Sequence, residues 1–83
     1  MHELRIFKQA GREIKKISRM HQKALLEALN AIRENPFAGK PLTRKLTGKF
    51  SYNIGVYRII YKVNKKDKII SVLSAGHLSR VYK

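Results

Sequence analysis

The chain predicts an α+β fold, a helical hairpin packed on one face of a twisted antiparallel sheet in the order β-α-α-β-β-β. Three observations carry that prediction. Apolar residues recur with helical spacing between Gln9 and Glu34, and they alternate with polar ones from Phe50 onward. Asn35-Pro36 divides the two regimes, because a proline disfavours the helical conformation of the residue before it. Helices that precede a run of strands, rather than alternating with them, belong together on one face of an antiparallel sheet. Residues 1–83 read as a single domain, with a thin core: a chain of this size buries only about 60–65% of its unfolded surface.

The elements follow in order. Leu4-Arg5-Ile6-Phe7 reads as a short strand with Leu4 and Ile6 on one face. Ala10, Ile14, Ile17 and Met20 then form one stripe of a first helix, whose other face carries Arg12, Lys15, Lys16 and Arg19. A break near Ser18 to His21 leads into a second helix from about His21 to Glu34, buried through Leu25, Ala28, Leu29 and Ile32. Pro36 to Gly48 reads as loop, with two prolines, two glycines and three basic residues. Phe50, Tyr52 and Ile54 alternate, Gly55-Val56 supplies a two-residue turn, and Tyr57, Ile59, Tyr61 and Val63 alternate against Arg58, Ile60 and Lys62. Asn64-Lys65-Lys66-Asp67 is a second hairpin turn. The last strand runs from Ile69 to Ala75 and ends in Gly76, and a short basic tail, His77 to Lys83, closes the chain.

Charge narrows the function. Nineteen Lys and Arg against five acids leave +14, and residues 35–83 hold eleven of the basic residues with a single acid, Asp67. Such a field attracts polyanions, so nucleic acid or an acidic protein is the expected partner, with salt-sensitive binding. The chain has no cysteine, which excludes a disulfide, a thiolate nucleophile and a zinc–thiolate site. There is no secretory signal and no apolar run long enough to span a membrane, so a cytoplasmic protein without membrane partners is expected. The five acids are scattered and show neither H-x-x-E nor D-x-D spacing. A two-metal nuclease is therefore disfavoured, and neither metal nor small-molecule cofactor is expected.

Two segments carry a resemblance. Leu46-Thr47-Gly48-Lys49-Phe50-Ser51-Tyr52-Asn53-Ile54-Gly55-Val56-Tyr57-Arg58-Ile59-Ile60-Tyr61 resembles the sheet core of RelE/ParE toxins, where an L-x-G-x-x-S-Y-x-x-G-x-Y-R-I-I-Y pattern recurs. Gly76-His77-Leu78-Ser79-Arg80-Val81-Tyr82 resembles the G-H-x-x-x-V-Y ending of that family. With the two helices closed by Asn-Pro, the resemblance covers nearly the whole chain. It implies the toxin of a type II toxin–antitoxin system, silenced by a cognate acidic antitoxin. RelE-like members cut messenger RNA in the ribosomal A site without a metal and so block translation. ParE-like members share the fold, cleave nothing and act on DNA gyrase. A catalytically decayed RelE homologue is a further possibility left open by the resemblance.

Metal-free RNA cleavage needs a base for the ribose 2′-OH, a stabiliser of phosphate charge and a proton donor for the departing 5′-oxygen. Arg58 matches the Y-R arginine of the family, implied to hold the scissile phosphate, and a guanidinium fork suits two phosphate oxygens. His77 is the candidate base, since an ordinary imidazole titrates near neutrality, at about 6.5. Tyr82 matches the penultimate tyrosine, implied to stack on a base or to assist proton transfer. Arg80 and Lys83 are expected to add phosphate contacts, and Lys40, Arg44, Lys45 and Lys49 to line the approach for RNA. These groups are expected to share one groove, with the guanidinium at its centre and the tail imidazole nearby. Tyr57 and Tyr61 are expected in the core, and His2 and His21 are assigned no role.

The sequence also departs from the family. Asn53, Gly55 and Leu78 carry no charge where relatives often place a basic residue, and no glutamate lies near Tyr52. A base must then be His77 or a group of the ribosome. The retained Arg58, His77 and Tyr82 point to the nuclease, and the uncharged positions to the gyrase inhibitor. A plain nucleic-acid-binding module is the third reading. It lacks a helix-turn-helix signal and any polar recognition stripe on the second helix, whose outer face mixes Lys23, Glu27, Asn30 and Glu34.

Overall fold

A computed structural model describes residues 2–42 and 48–77. The elements are β1 (Glu3–Ile6), α1 (Lys8–Lys15), α2 (Arg19–Glu34), β2 (Lys40–Pro41), β3 (Lys49–Ile54), β4 (Tyr57–Asn64) and β5 (Ile69–His77). The strands form one sheet in the order β1-β5-β4-β3-β2.

The helical hairpin forms where the periodicity places it, with a change of phase at the junction. α1 stops at Lys15, where the N–H groups of Lys16 and Ile17 turn back to the carbonyls of Glu13 and Ile14. Ser18 then takes the N-cap position of α2, and its hydroxyl lies 2.7 Å from His21 Nδ1. The break resets the helical phase. Met20, expected in the stripe of the first helix, instead falls in the first turn of α2 and is 80% exposed. Gln22 fastens the junction: its side-chain amide donates to the Ile14 carbonyl at 3.0 Å, which it shares with the Ile17 N–H, and to the Ile17 carbonyl at 2.7 Å, just beyond the end of α1. Beyond it, Leu25, Ala28, Leu29 and Ile32 are buried, as their spacing predicts.

That stripe meets one face of the sheet. Ile59, Tyr61, Ile70, Val72 and Ala75 are fully buried together with Ala10, Leu25 and Ile32, and Phe50, Tyr52, Ile54, Tyr57 and Val63 pack around them. The strand alternation therefore holds on β3 and β4. Gly55 closes the β3–β4 hairpin at φ +58°, the left-handed region that a residue without a Cβ enters freely. Asn64 caps the β4–β5 turn, its side-chain Oδ1 accepting from the Asp67 N–H at 3.1 Å.

Three features differ from the expectation. The sheet has a fifth strand, because Lys40 and Pro41, inside the stretch read as loop, pair with Ser51 and Phe50. An edge strand of two residues leaves little trace in a pattern, and Pro41 is tolerated there because an edge position needs no second ladder bond. The sheet is also not wholly antiparallel. β1 pairs with β5 in parallel, Leu4 opposite Ile70 and Ile6 opposite Val72. The first and last strands meet through contacts that no local period reports.

The third difference is a bulge in β5. Tyr61 pairs with Val72, but the preceding Ile60 pairs with Ser74, so Leu73 is an extra residue in the ladder. One inserted residue moves every later side chain to the other face. Ala75 thereby joins the core alongside Val72, and its N–H is taken by Glu13 of α1 at 3.2 Å.

Candidate nucleic-acid interface

The face of the sheet turned away from the helices is defined by the register. Arg58 stands between Asn53 and Gly76 in a first cross-strand row. Ile60 stands between Ser51 and Ser74 in a second, and Lys40 extends that row through its pairing with Ser51. Lys62 stands between Lys49 and Ser71 in a third, and Arg5 extends that row through its pairing with Ser71. Among the described residues, five cations thus occupy this face: Arg58, Lys40, Lys49, Lys62 and Arg5.

Carboxylates are nearly absent from it. Glu13 is spent on the Ala75 N–H at the helix-side face, Glu27 and Glu34 belong to α2, and Asp67 closes the turn beyond Asn64. Glu3 alone reaches the face, at its edge, where it pairs with Arg5 in the one ion pair among the described residues. An excess of fixed positive charge on a flat strand surface attracts a polyanion from a distance and holds it by its backbone.

Arg58 is the best-oriented of the five. It lies mid-sheet and half-buried, and its Nε donates to Asn53 Oδ1 at 2.9 Å. That partner is a neutral amide, so it fixes the plane of the guanidinium without cancelling its charge, and Asn53 in turn accepts from Ser51 Oγ at 3.3 Å. The uncharged Asn53 thus helps to orient Arg58. Only the β3–β4 register reveals that role.

His77 is not in the groove with Arg58. It pairs with Tyr57, one position away from the Arg58–Gly76 pair, and so leaves the opposite, helix-side face. There its ring lies edge-on to Tyr57, centroids 6.1 Å apart, and Tyr57 packs in turn against His21 at 4.9 Å. The cause is the bulge. An unbroken alternation from Ile70 and Val72 would have put His77 on the face of Ser71, beside Arg58; the inserted Leu73 turns it round. His21, assigned no role from the sequence, is tied instead to Ser18 and Tyr57.

Of the other expected site residues, Lys40 and Lys49 lie on the cationic face, while Arg44, Lys45, Arg80, Tyr82 and Lys83 fall outside the described residues. Sequence reading put Lys62 on the face of Arg58 without giving it a binding role, and did not place Arg5 there. Lys62 was legible, since it alternates with Arg58 along one strand; Arg5 was not, because its place depends on the parallel pairing of β1 with β5. Among the described residues no three His, Asp or Glu side chains gather as metal ligands, and no helix is long and apolar enough to cross a membrane. A cavity of about 530 Å³ lies apart from this face, lined by Ile6, Phe7, Lys8, Gly11, Arg12 and Lys15.

Comparisons with known proteins bear on the same fold. A family model described as ParE toxin of type II toxin–antitoxin system, parDE, matches residues 4–82. Toxin RelG of Mycobacterium tuberculosis is 35% identical over 51 residues, which are 61% of this chain and 59% of that relative's length. Among solved structures, the RelBE2 toxin–antitoxin complex of Mycobacterium tuberculosis contains a chain that superposes at a TM-score of 0.86 with 28% identity, over 92% of this chain and 96% of that one. A chain of the RelE–RelB complex of Pyrococcus horikoshii gives a TM-score of 0.77 at 25% identity, over 96% and 98%. The intact RelBE complex of E. coli shares the fold at a TM-score of 0.82 and 21% identity, over 96% and 100%.

Proposed function

The chain belongs to the RelE/ParE toxin family of type II toxin–antitoxin systems, and from that premise we propose that it arrests translation in the cytoplasm by cutting messenger RNA in the ribosomal A site. The observation that carries the reading is Arg58: a guanidinium on the carboxylate-poor face of the sheet, oriented through Nε by a neutral amide. A guanidinium presents a planar fork of N–H donors whose geometry matches two non-bridging phosphate oxygens. As the 2′-oxygen attacks phosphorus and the bond to the 5′-oxygen breaks, charge grows on those oxygens, and a fixed cation is worth more to that state than to the resting diester.

Proton transfer is a separate task. Arg58 stays protonated and cannot serve as base, and His77 leaves the other face of the sheet. In this proposal the proton of the 2′-OH and that of the departing 5′-oxygen are handled by Tyr82 and by groups of the ribosome, so cleavage away from the ribosome is expected to be weak. Its partner in the resting cell is an acidic antitoxin that neutralises the cationic surface, as the RelB complexes of the structural relatives suggest.

Single-turnover cleavage of a message bound to purified ribosomes tests the proposal. The chain is expected to cut in the A site, and His77→Ala is expected to cut within about twofold of the parent rate, because removing a group outside the reacting site leaves the transition state untouched. A loss of tenfold or more would return His77 to the chemistry. A second reading, a toxin that inhibits gyrase and cleaves nothing, is favoured by the uncharged Asn53 and Gly55 and by the ParE description of the matching family. Intact message in this assay, together with loss of gyrase supercoiling, would establish it instead.

A further inference from the structure

The third row of the open face contains an arrangement that folding alone does not favour. Lys49 and Lys62 are directly opposite one another on β3 and β4. Side chains so paired have Cβ atoms about 4.5–5.5 Å apart, and like charges there destabilise a sheet. Among the described residues neither lysine has a carboxylate partner, the one ion pair being that of Glu3 with Arg5. Two long ammonium side chains on directly opposed strand positions can both reach one anion placed between them. Beyond them the row continues with the Ser71 hydroxyl and then with Arg5.

The distance to Arg58 gives this pair its meaning. Arg58 and Lys62 are four residues apart on one strand and face the same way, a separation of about 13 Å at about 3.3 Å per residue. A ribose–phosphate chain carries a charge at every nucleotide, so a strand engaged at Arg58 and laid along β4 brings another phosphate to the lysine pair. We infer that Lys49 and Lys62 jointly hold a second phosphate of a single-stranded RNA whose scissile phosphate is engaged by Arg58. The inference rests on the proposed function and adds to it an anchor that sets how the strand lies on the sheet.

An acidic protein segment fits this row less well. Protein docking draws its energy from apolar anchors seated in pockets, and among the described residues the large exposed apolar side chains are Ile6, Phe7, Met20, Leu26, Phe37 and Val56. None of them is an open-face strand position: Ile6 pairs with Val72 on the helix side, and the others lie in helices, turns or loops. Between Arg58 and the lysine pair, Ile60 and Ser51 are each only 5% exposed and offer no apolar anchor.

The test is binding of a 2′-O-methylated oligouridylate, which the protein cannot cut, followed by fluorescence anisotropy across a salt series. Parent, Lys49→Ala, Lys62→Ala and the double variant are compared, with polyglutamate of the same length as the competing polyanion. Each single variant is expected to weaken RNA binding, and the double variant by less than the product of the two, since both lysines serve one phosphate. The slope of log K against log salt is expected to fall by about 0.7 in the double variant, the value for one phosphate contact on a single strand. Melting temperatures are expected to hold or rise, because repulsion is relieved, so lost binding is not lost folding. Parent-like affinity and slope in the double variant would overturn the inference while leaving the proposed function in place. A loss for polyglutamate equal to that for RNA would overturn it in favour of an acidic protein partner. A parent chain that shows no salt-dependent RNA binding would overturn both.

Discussion

Replacing Arg58 with alanine is expected to abolish growth arrest and to slow single-turnover cleavage by about 10²–10³-fold, the cost of removing one fixed group that stabilises charge in a transition state. The fold should survive. Arg58 is half-buried on the open face, outside the apolar cluster, and its bond to Asn53 is a solvent-accessible one. A surface change of that kind shifts stability by less than about 1 kcal/mol, and removing one cation from a chain of +14 relieves some self-repulsion. Thermal unfolding of the variant measures this directly. Arg58→Lys should recover only a small part of the rate, because an ammonium keeps the charge but loses the planar fork. An alanine variant that melts like the parent and still arrests growth would remove the phosphate role from Arg58.

The largest effect on stability is expected at Tyr61. Its ring is fully buried and stacks on Phe50 at 5.5 Å. Its hydroxyl donates to the Pro36 carbonyl at 2.8 Å and accepts from the Gly39 N–H at 3.0 Å. One phenol thereby satisfies two backbone groups of the segment that leads into β2, and so fixes the strand that carries Lys40. Tyr61→Phe keeps the ring and strands both groups. At about 1–3 kcal/mol for a buried group left unpaired, a total of about 2–4 kcal/mol is expected, and each kcal/mol lowers the melting temperature of a domain this size by about 4–8 °C. Gly39→Ala attacks the same contact from the other side, since its Cβ would stand 2.5 Å from the Tyr61 hydroxyl and 3.0 Å from the Ser51 carbonyl. A pH dependence accompanies this. Burial pushes the Tyr61 phenol above its ordinary value, so the native state holds that proton more tightly than the unfolded chain does. Its contribution is complete below the ordinary tyrosine pKa of about 10 and is lost as pH rises toward the higher native value. Tyr61→Phe should lose that part of the alkaline decline; an unchanged decline would assign it to other groups.

Local pattern accounts for much of this molecule. The stripe of Leu25, Ala28, Leu29 and Ile32, the alternation of Tyr57, Ile59 and Tyr61, and the turn at Gly55 each depend on residues a few positions apart, and each appears where its spacing places it. Arg58 was legible as a strand residue opposite the core face for the same reason. What periodicity cannot carry is pairing between distant segments. The parallel meeting of β1 and β5, and with it the place of Arg5, follows from contacts some sixty-six residues apart, as between Glu3 and Ile69. The two-residue β2 is stabilised by Tyr61 holding the preceding loop, a long-range bond that no composition reveals. His77 shows the limit most sharply. The sequence placed it in the tail, near Arg58; instead β5 runs through His77, and the extra Leu73 sends it to the helix side, against Tyr57.

The bulge also separates two questions that the sequence joined, what grips the phosphate and what moves the proton. In the proposed reading the cationic face, with Arg58 bonded to Asn53, serves the first, and the tail and the ribosome serve the second.

Mapping of transcript 5′ ends after brief induction of the chain in growing cells tests the central claim most directly, with the Arg58→Ala variant induced in parallel. New ends are expected inside reading frames, in phase with codons, in cells making the parent and not in cells making the variant. Intact messages in cells whose replication has stopped would contradict the account and assign the arrest to a topoisomerase.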